Sequence, residues 1–394
     1  MLVLVDVLVV ILLVLALAAG LRAGFFSVLG AFCGLVAGGV AALWVLPLVS
    51  GLVSDPAWHG LAVVVSAIGL LAVGTTVGTV VGGLLRRGAD KLRLRLVERL
   101  LGGGLAVVAA ALALSLTGAG IVSAGIPGLS SLASSSTVLR AIDRFTPTPL
   151  TDAVARWHAA VLGDTVLPAL DGLLEQSGLA STPDLDAIDT DDPKLLAAGA
   201  SVARVSGVAY GCGTTSTGSG FVVASNRVVT NAHVVAGVDT PVVELPNEPA
   251  RDGRVVYFDP VDDIAVIAVD VDAAPLELAK TLDAGSPAVV QGYPYGGSFR
   301  TVAAGVTWTG RSVVDDIYGE RGEQRAVYAL DAEVNPGNSG GPVLTTDGDV
   351  AGVVFAKDSV RAHVGYAMTT AELRPVVAAL DDATQRVSTG ACLS

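Results

Sequence analysis

The chain has 394 residues, of which 52% are hydrophobic and only 15% charged, and it carries a formal net charge of −13 at pH 7. So apolar a composition excludes an ordinary soluble protein, and the length exceeds what one hydrophobic core organises, so two or more domains are expected. The acidic balance excludes nucleic acid as a partner, since that ligand selects basic patches.

Four apolar runs open the sequence, at residues 2–19, 25–49, 60–85 and 100–122. Each has about the 20 residues a helix needs to cross a bilayer. A cleaved signal peptide would account for the first run but not for three more. Residues 1–123 therefore read as a four-helix transmembrane domain in contact with the lipid bilayer. Arg86, Arg87, Lys91, Arg93, Arg95 and Arg99 lie between the third and fourth runs and Arg22 between the first two, whereas the second and third are joined without Lys or Arg. Basic loops stay in the cytoplasm, which sends the chain after the fourth helix to the outer side of the cytoplasmic membrane. Gly30, Gly34 and Gly38, and then Gly74, Gly78 and Gly82, recur at every fourth position. Such rows let helices approach closely in lipid, so the second and third helices are expected to pack together. Asp6 reads either as a functional carboxylate of the membrane domain or as an interfacial residue near the outer helix end.

Residues 124–200 change character and read as a connector. Ser130, Ser131, Ser134, Ser135 and Ser136 form a serine-rich patch punctuated by Pro127, Pro147 and Pro149. Across 153–174, Val154, Trp157, Val161, Leu167, Leu170 and Leu174 recur at helical spacing and predict short amphipathic helices. Residues 184–193, acidic and free of aromatics, predict an exposed linker. A tether of this kind is open to nicking, so self-cleavage in the connector is expected.

From residue 201 to 394, short valine-rich runs alternate with turn residues, the pattern of an all-β sandwich or barrel, and 370–385 predicts a closing helix. Three fragments carry chemistry. In Asn335-Pro336-Gly337-Asn338-Ser339-Gly340-Gly341-Pro342, glycines let the loop fold sharply and let a carbonyl approach the backbone. The amides of Gly337 and Ser339, with Asn338 between them, are placed to hold an oxyanion. A serine needs a base steadied by a third group. His233 in Val229-Thr230-Asn231-Ala232-His233-Val234-Val235 and Asp263 in Asp263-Ile264-Ala265-Val266-Ile267 supply the residue types. Taken singly, each fragment has an ordinary reading as a turn, a core histidine or a strand-end acid; their joint occurrence is what points to acyl transfer. Cys212 and Cys392 lie near the two ends of this region and read as a disulfide staple worth about 4–5 kcal/mol by loop-closure entropy, or else as two free thiols. A disulfide would require an oxidising compartment.

These fragments, in the order T-N-A-H-V, D-I-A-V and G-N-S-G-G-P, resemble the bacterial branch of the chymotrypsin-like serine proteases. The resemblance implies two six-stranded β-barrels with a C-terminal helix, and a cleft in which Ser339 is the nucleophile, His233 the general base and Asp263, rather than the adjacent Asp262, the orienting acid. It places the specificity pocket at residues 333–338, 355–357 and 365–366, with Glu333, Phe355, Lys357, Gly365 and Tyr366 on its walls. Glu333 there reads either as a selector of basic side chains or as a solvated loop acid. Asn338 departs from the digestive enzymes, whose aspartate pairs with a newly cut amino terminus; an amide cannot form that ion pair. The chain stops soon after the helix, so the peptide-binding module that often follows this motif set is not expected. Asp6, Gly20-Leu21-Arg22-Ala23-Gly24-Phe25 and the glycine-rich second helix resemble the colicin V production family. Joined to a protease, they resemble the membrane-anchored periplasmic serine proteases of mycobacteria that confer acid resistance.

The expected protein is therefore a multi-pass serine endopeptidase that needs no metal or organic cofactor and acts outside the membrane on cell-envelope proteins. The resemblance implies peptidoglycan hydrolases as substrates and a role in acid or oxidative stress. Because a general base must be neutral and an ordinary imidazole titrates near about 6.5, activity is expected to fall in acid. The rival readings are a protease-like module that binds without cutting, and a transporter or scaffold with an accessory protease domain.

Overall fold

The structure is a computed structural model that describes residues 2–52, 56–89, 95–123, 125–162, 167–170, 182–246, 248–320, 322–380 and 383–393. Contacts divide it into a helical unit, Val3–Ser115 with Ala141–Asp143, and a second unit, Leu116–Arg140 with Arg144–Ser394.

In the helical unit, α1 (Leu2–Ala23), α2 (Phe25–Leu52), α3 (Pro56–Ala89) and α4 (Arg95–Ser123) take up the four apolar runs. All four are long and apolar enough to cross a membrane. Many of their large apolar side chains, Leu15, Val73 and Leu84 among them, face outward, as lipid-solvated helices require. The glycine rows are what bring α2 and α3 together. A methyl group at Gly34 would strike the carbonyl oxygen of Gly74, and one at Gly78 that of Gly30. At the α1–α2 junction, Gly24 turns the chain at φ 79°. The buried Glu98 packs against it and pairs with Arg86 at 3.2 Å, while Arg86 also donates to the Ala23 carbonyl.

The connector holds α5 (Leu129–Ser134), α6 (Thr137–Phe145), α7 (Thr148–Leu162), the strand β1 (Ala169–Leu170) and α8 (Pro193–Gly199). Two expectations hold only in part. Of the helical pattern across 153–174, α7 takes up Val154, Trp157 and Val161; residues 163–166 and Leu174 fall outside the described residues, Leu167 is buried, and Leu170 sits in β1. A strand edge in the following domain captures this stretch and overrides its helical spacing. Residues 184–193 are exposed or half-buried, as expected of an exposed linker, but they are ordered, because their acids cap turns. Asp184 accepts from the N–H of Asp186, Asp189 from that of Asp191, and Asp192 from that of Lys194 at 2.8 Å, with Pro193 opening α8.

The first sheet comprises β2 (Val202–Ala209), β3 (Thr214–Ala224), β4 (Arg227–Thr230), β5 (Val242–Glu244), β6 (Arg251–Asp252), β7 (Arg254–Asp259) and β8 (Ile264–Ala268), in the order β6-β5-β2-β3-β4-β8-β7. β6 and β7 are one strand bent at Gly253, whose N–H is diverted to the Pro241 carbonyl; counted together they close a six-stranded ring. A side chain at Gly253 would collide with Ile267. The second sheet comprises β9 (Pro287–Gly292), β10 (Arg300–Asp315), β11 (Gly322–Asp331), β12 (Pro342–Leu344), β13 (Val350–Asp358) and β14 (Val364–Thr369), closed into a barrel by the β13–β14 ladder, with β1 added beside β13. Each barrel has its own aliphatic filling, around Val205 and Ile267 in the first and Val290 and Leu330 in the second. A shared cluster that includes Phe221, Ile264, Phe355 and Leu373 joins them. The closing helix α10 (Thr370–Ala378) ends earlier than its pattern predicts. Cys212 and Cys392 are disulfide-bonded across 180 residues, with Cα atoms 6.2 Å apart, tying the β2–β3 turn to the C-terminal tail. Cys33 is free and exposed.

Candidate active site

His233 stands on a one-turn helix, α9 (Ala232–Val235), that breaks out of β4. The residues before it fix its place. Thr230 donates its hydroxyl to the Ser219 carbonyl at 2.7 Å, and Asn231 donates its side-chain amide to the Asp263 carbonyl at 2.8 Å. Asp263 leaves the β7–β8 turn, where Asp259 accepts from the N–H groups of Val261 and Asp262, and it holds φ 54°, a left-handed conformation that Asp tolerates better than most residues. There its carboxylate grips His233 twice. Oδ2 lies 2.8 Å from Nδ1 of the ring, and Oδ1 accepts the backbone N–H of His233 at 2.9 Å. All of this is buried, with His233 4% and Asp263 3% exposed. Asp262 faces elsewhere and is half-buried; burial, with the charges of Asp259 and Glu372, pushes its carboxyl up against the opposing pull of Arg325.

Ser339 lies on the loop between β11 and β12. Gly337 and Gly340 adopt φ 94° and 81°, conformations that only glycine enters freely, and a side chain at Gly340 would strike the Ser219 carbonyl. In a trans peptide the N–H and C=O point in opposite directions. The Pro336 carbonyl is held by the N–H of Tyr295 and the Asn338 carbonyl by that of Gly341, which turns the N–H groups of Gly337 and Ser339 the other way. Neither of these N–H groups meets an acceptor among the described residues. The Asn338 N–H, by contrast, is taken by the Asn335 carbonyl, so two donors remain rather than three. Ser339 Oγ and His233 Nε2 are both buried and without a hydrogen-bond partner, so no hydrogen bond joins these two atoms in this conformation.

Around the loop, Phe355 and Tyr366 are buried and Lys357 is half-buried on β13. Gly365 packs against Val334, and the Tyr366 hydroxyl donates to Asp358 at 2.6 Å. Glu333 is exposed; its carboxylate accepts from Asn335, and it borders a cavity of about 270 Å³ with Tyr295, Arg300 and Asn338, closed by Asp152 and Arg156 of α7. Among the described residues no cluster of three His, Cys, Asp or Glu side chains could hold a metal ion.

Sequence reading missed two residues that the fold brings to this site. Ser219, with no exposed surface, ties the barrels together: its N–H donates to the Ser339 carbonyl at 2.7 Å, its hydroxyl donates to the Gly337 carbonyl at 2.7 Å, and the same hydroxyl accepts from the Tyr293 N–H at 2.9 Å. Its one legible signal is its position between Gly218 and Gly220. Arg325, also fully buried, lies 5.5 Å over the Phe355 ring and donates to the Asp315 carbonyl. Burial lowers its guanidinium pKa, opposed first by the charge of Asp263. Nothing in its local sequence marks it.

Comparison with known proteins matches two parts of the chain to families. Residues 218–353 match the trypsin-like peptidase domain, and residues 5–147 match colicin V production protein. The serine protease Rv3671c of Mycobacterium tuberculosis is 34% identical over 316 residues, covering 78% of each chain. A probable periplasmic serine endoprotease, DegP-like, of Hahella chejuensis is 34% identical over 180 residues, or 45% of this chain and 36% of its own. The crystal structure of Rv3671c protease in its active form superposes with a TM-score of 0.53 at 35% identity, covering 58% of this chain and 100% of that one. With its helices and its barrels each matched in turn, the chain belongs to the serine protease family of Rv3671c, a trypsin-like protease fold behind four membrane-spanning helices.

Proposed function

We propose that Ser339 is the nucleophile of this serine protease, with His233 as its base and Asp263 as the group that orients the imidazole. The observation that carries the reading is the double grip of Asp263 on the ring and the backbone of His233. It fixes the tautomer with the proton on Nδ1 and leaves Nε2 to receive the Ser339 hydroxyl proton. Attack on a substrate carbonyl forms the tetrahedral intermediate, whose oxyanion takes the N–H groups of Gly337 and Ser339. Collapse expels the amine, which takes the proton from His233, and water then releases the acyl group from Ser339 by the same relay in reverse.

The basic residues between the third and fourth apolar runs support a cytoplasmic position for that stretch and an outer one for the protease. Its substrates are then proteins of the cell envelope, peptidoglycan hydrolases among them, cut in acid or oxidative stress, with the connector as a site of self-cleavage. A fluorophosphonate probe should label the wild type and not Ser339→Ala. Mass spectrometry of secreted and wall-bound proteins should show fragments that disappear in the same variant. Equal labelling of both forms would end the assignment.

A further inference from the structure

The edge of β13 beside the nucleophile loop is already occupied by the chain itself. β13 leaves the loop at Val354, which exchanges hydrogen bonds with Gly340 and Gly341, and passes a bulge before reaching Lys357. β14 covers its other edge as far as Lys357, so residues 355–359 offer one free edge, the continuation of the side that faces Ser339. An extended peptide docks on such an edge by adding a strand. Here Pro168 accepts from the Lys357 N–H at 3.0 Å and Leu170 from the Ser359 N–H at 3.3 Å, and β1 pairs in parallel with Lys357 and Asp358. Leu167, only 7% exposed, enters the aliphatic cluster that contains Val334, Val354 and Ala367. Val334 lies within one of the stretches expected to wall the specificity pocket and Val354 adjoins another, whereas Glu333 is exposed and engaged by Asn335.

We propose that residues 167–170 are a built-in plug of the substrate cleft. They compete with extended peptide substrates, and Leu167 shows the chemistry the cleft selects, a medium aliphatic side chain rather than a basic one. Because the pairing is parallel, the plug runs away from Ser339 beyond Leu167, so it fills the edge without drawing its own following peptide bonds across the nucleophile. The short ladder of β1 with β13, the hydrogen bonds that Pro168 and Leu170 accept, and the packing of Leu167 and Leu170 hold it, a contact of four residues that a longer substrate strand can displace. The proposal rests on the catalytic reading above.

The test uses the full chain in detergent micelles, comparing the wild type with Leu167→Asp, Leu167→Ala and Leu167→Met. A fluorophosphonate reports the Ser339 machinery, and peptides with leucine or lysine before the scissile bond report the cleft. Leu167→Asp and Leu167→Ala are expected to lower KM for the leucine peptide about tenfold, the effect of removing one buried leucine side chain, with kcat unchanged. Leu167→Met should match the wild type. The peptide Leu-Pro-Ala-Leu should raise KM of the opened variants without changing kcat, and leucine should be preferred to lysine. Should Leu167→Asp not fold, Leu167→Ala decides alone. Wild-type KM in the alanine variant, no competition by the peptide, or a preference for lysine each overturns the plug while labelling stays intact. Loss of labelling in every form, wild type included, overturns the catalytic reading and the plug with it.

Discussion

Ser219→Ala is the substitution that most directly examines how the nucleophile loop is held. The Ser219 hydroxyl is the shared partner of the Gly337 carbonyl and the Tyr293 N–H, and it has no exposed surface through which water could replace it. Alanine strands both groups. Each buried polar group left unpaired costs about 1–3 kcal/mol, about 2–6 kcal/mol for the two. At about 2–4 °C per kcal/mol for a domain of this size, melting should fall by about 5–20 °C. The Gly337–Asn338 peptide lies between the two N–H groups proposed to hold the oxyanion, so its release disturbs their alignment. Losing one such donor is worth about 2.7–4 kcal/mol of transition-state stabilisation, a fall in kcat of about 10²–10³-fold, with KM nearly unchanged because the donors act on charge that develops only in the transition state. Steady-state kinetics and thermal denaturation of the full chain in micelles measure both quantities. An alanine variant that melts and turns over like the wild type would show that the loop is held without Ser219.

Asp263→Asn keeps the shape but replaces one acceptor with a donor, and kcat should fall about 10³–10⁴-fold with melting little changed; a loss of less than tenfold would refute the orienting role. Asp358 accepts from the N–H groups of Val360 and Arg361 and from the Tyr366 hydroxyl. Burial pushes its carboxyl up, but those hydrogen bonds, Tyr366 first, outweigh burial and hold it below the usual carboxylate range. Its contribution is therefore complete above the unfolded value, near about 3.9, and is lost as pH falls through the lower folded value. Asp358→Asn should cost about 1–3 kcal/mol at neutral pH and flatten the acid limb of a melting-against-pH curve. Gly78→Leu should drive α2 and α3 apart, lowering the detergent stability of the helical unit while fluorophosphonate labelling of Ser339 persists; an unchanged stability would show that the glycine rows do not set the packing.

How far each feature could be read from the chain follows from the range of the interaction that makes it. The four membrane helices were legible because lipid acts on every residue of a run, so length and apolarity suffice. The glycine rows reported a helix contact for a similar reason, since spacing of four keeps small residues on one face. Most strands of the barrels showed as valine-rich runs, but the three-residue β5 and β12 were too short to carry a pattern, and the bend that joins β6 to β7 depends on a carbonyl at Pro241.

At the site, His233, Asp263 and Ser339 stood out because each sits in a local turn whose neighbours are constrained in turn: Asn231 and Thr230 before the histidine, the Asp259 turn before the aspartate, glycines around the serine. Ser219 and Arg325 did not, because each acts across the boundary between barrels and an ordinary serine or arginine can stand anywhere in a strand. The connector shows the same division most sharply. Leu167 and Leu170 have helical spacing in the sequence, yet a strand edge far along the chain claims them, since unpaired backbone donors at Lys357 and Ser359 outweigh a local preference worth a few tenths of a kcal/mol per residue. Residue type and spacing alone determined the four apolar helices and marked His233, Asp263 and Ser339 as candidates. Only the folded chain decided which barrel surfaces meet, which carbonyls are turned aside so that two amides stand free, and which segment pairs with the edge of β13, because those outcomes depend on groups that are neighbours in space and strangers in sequence.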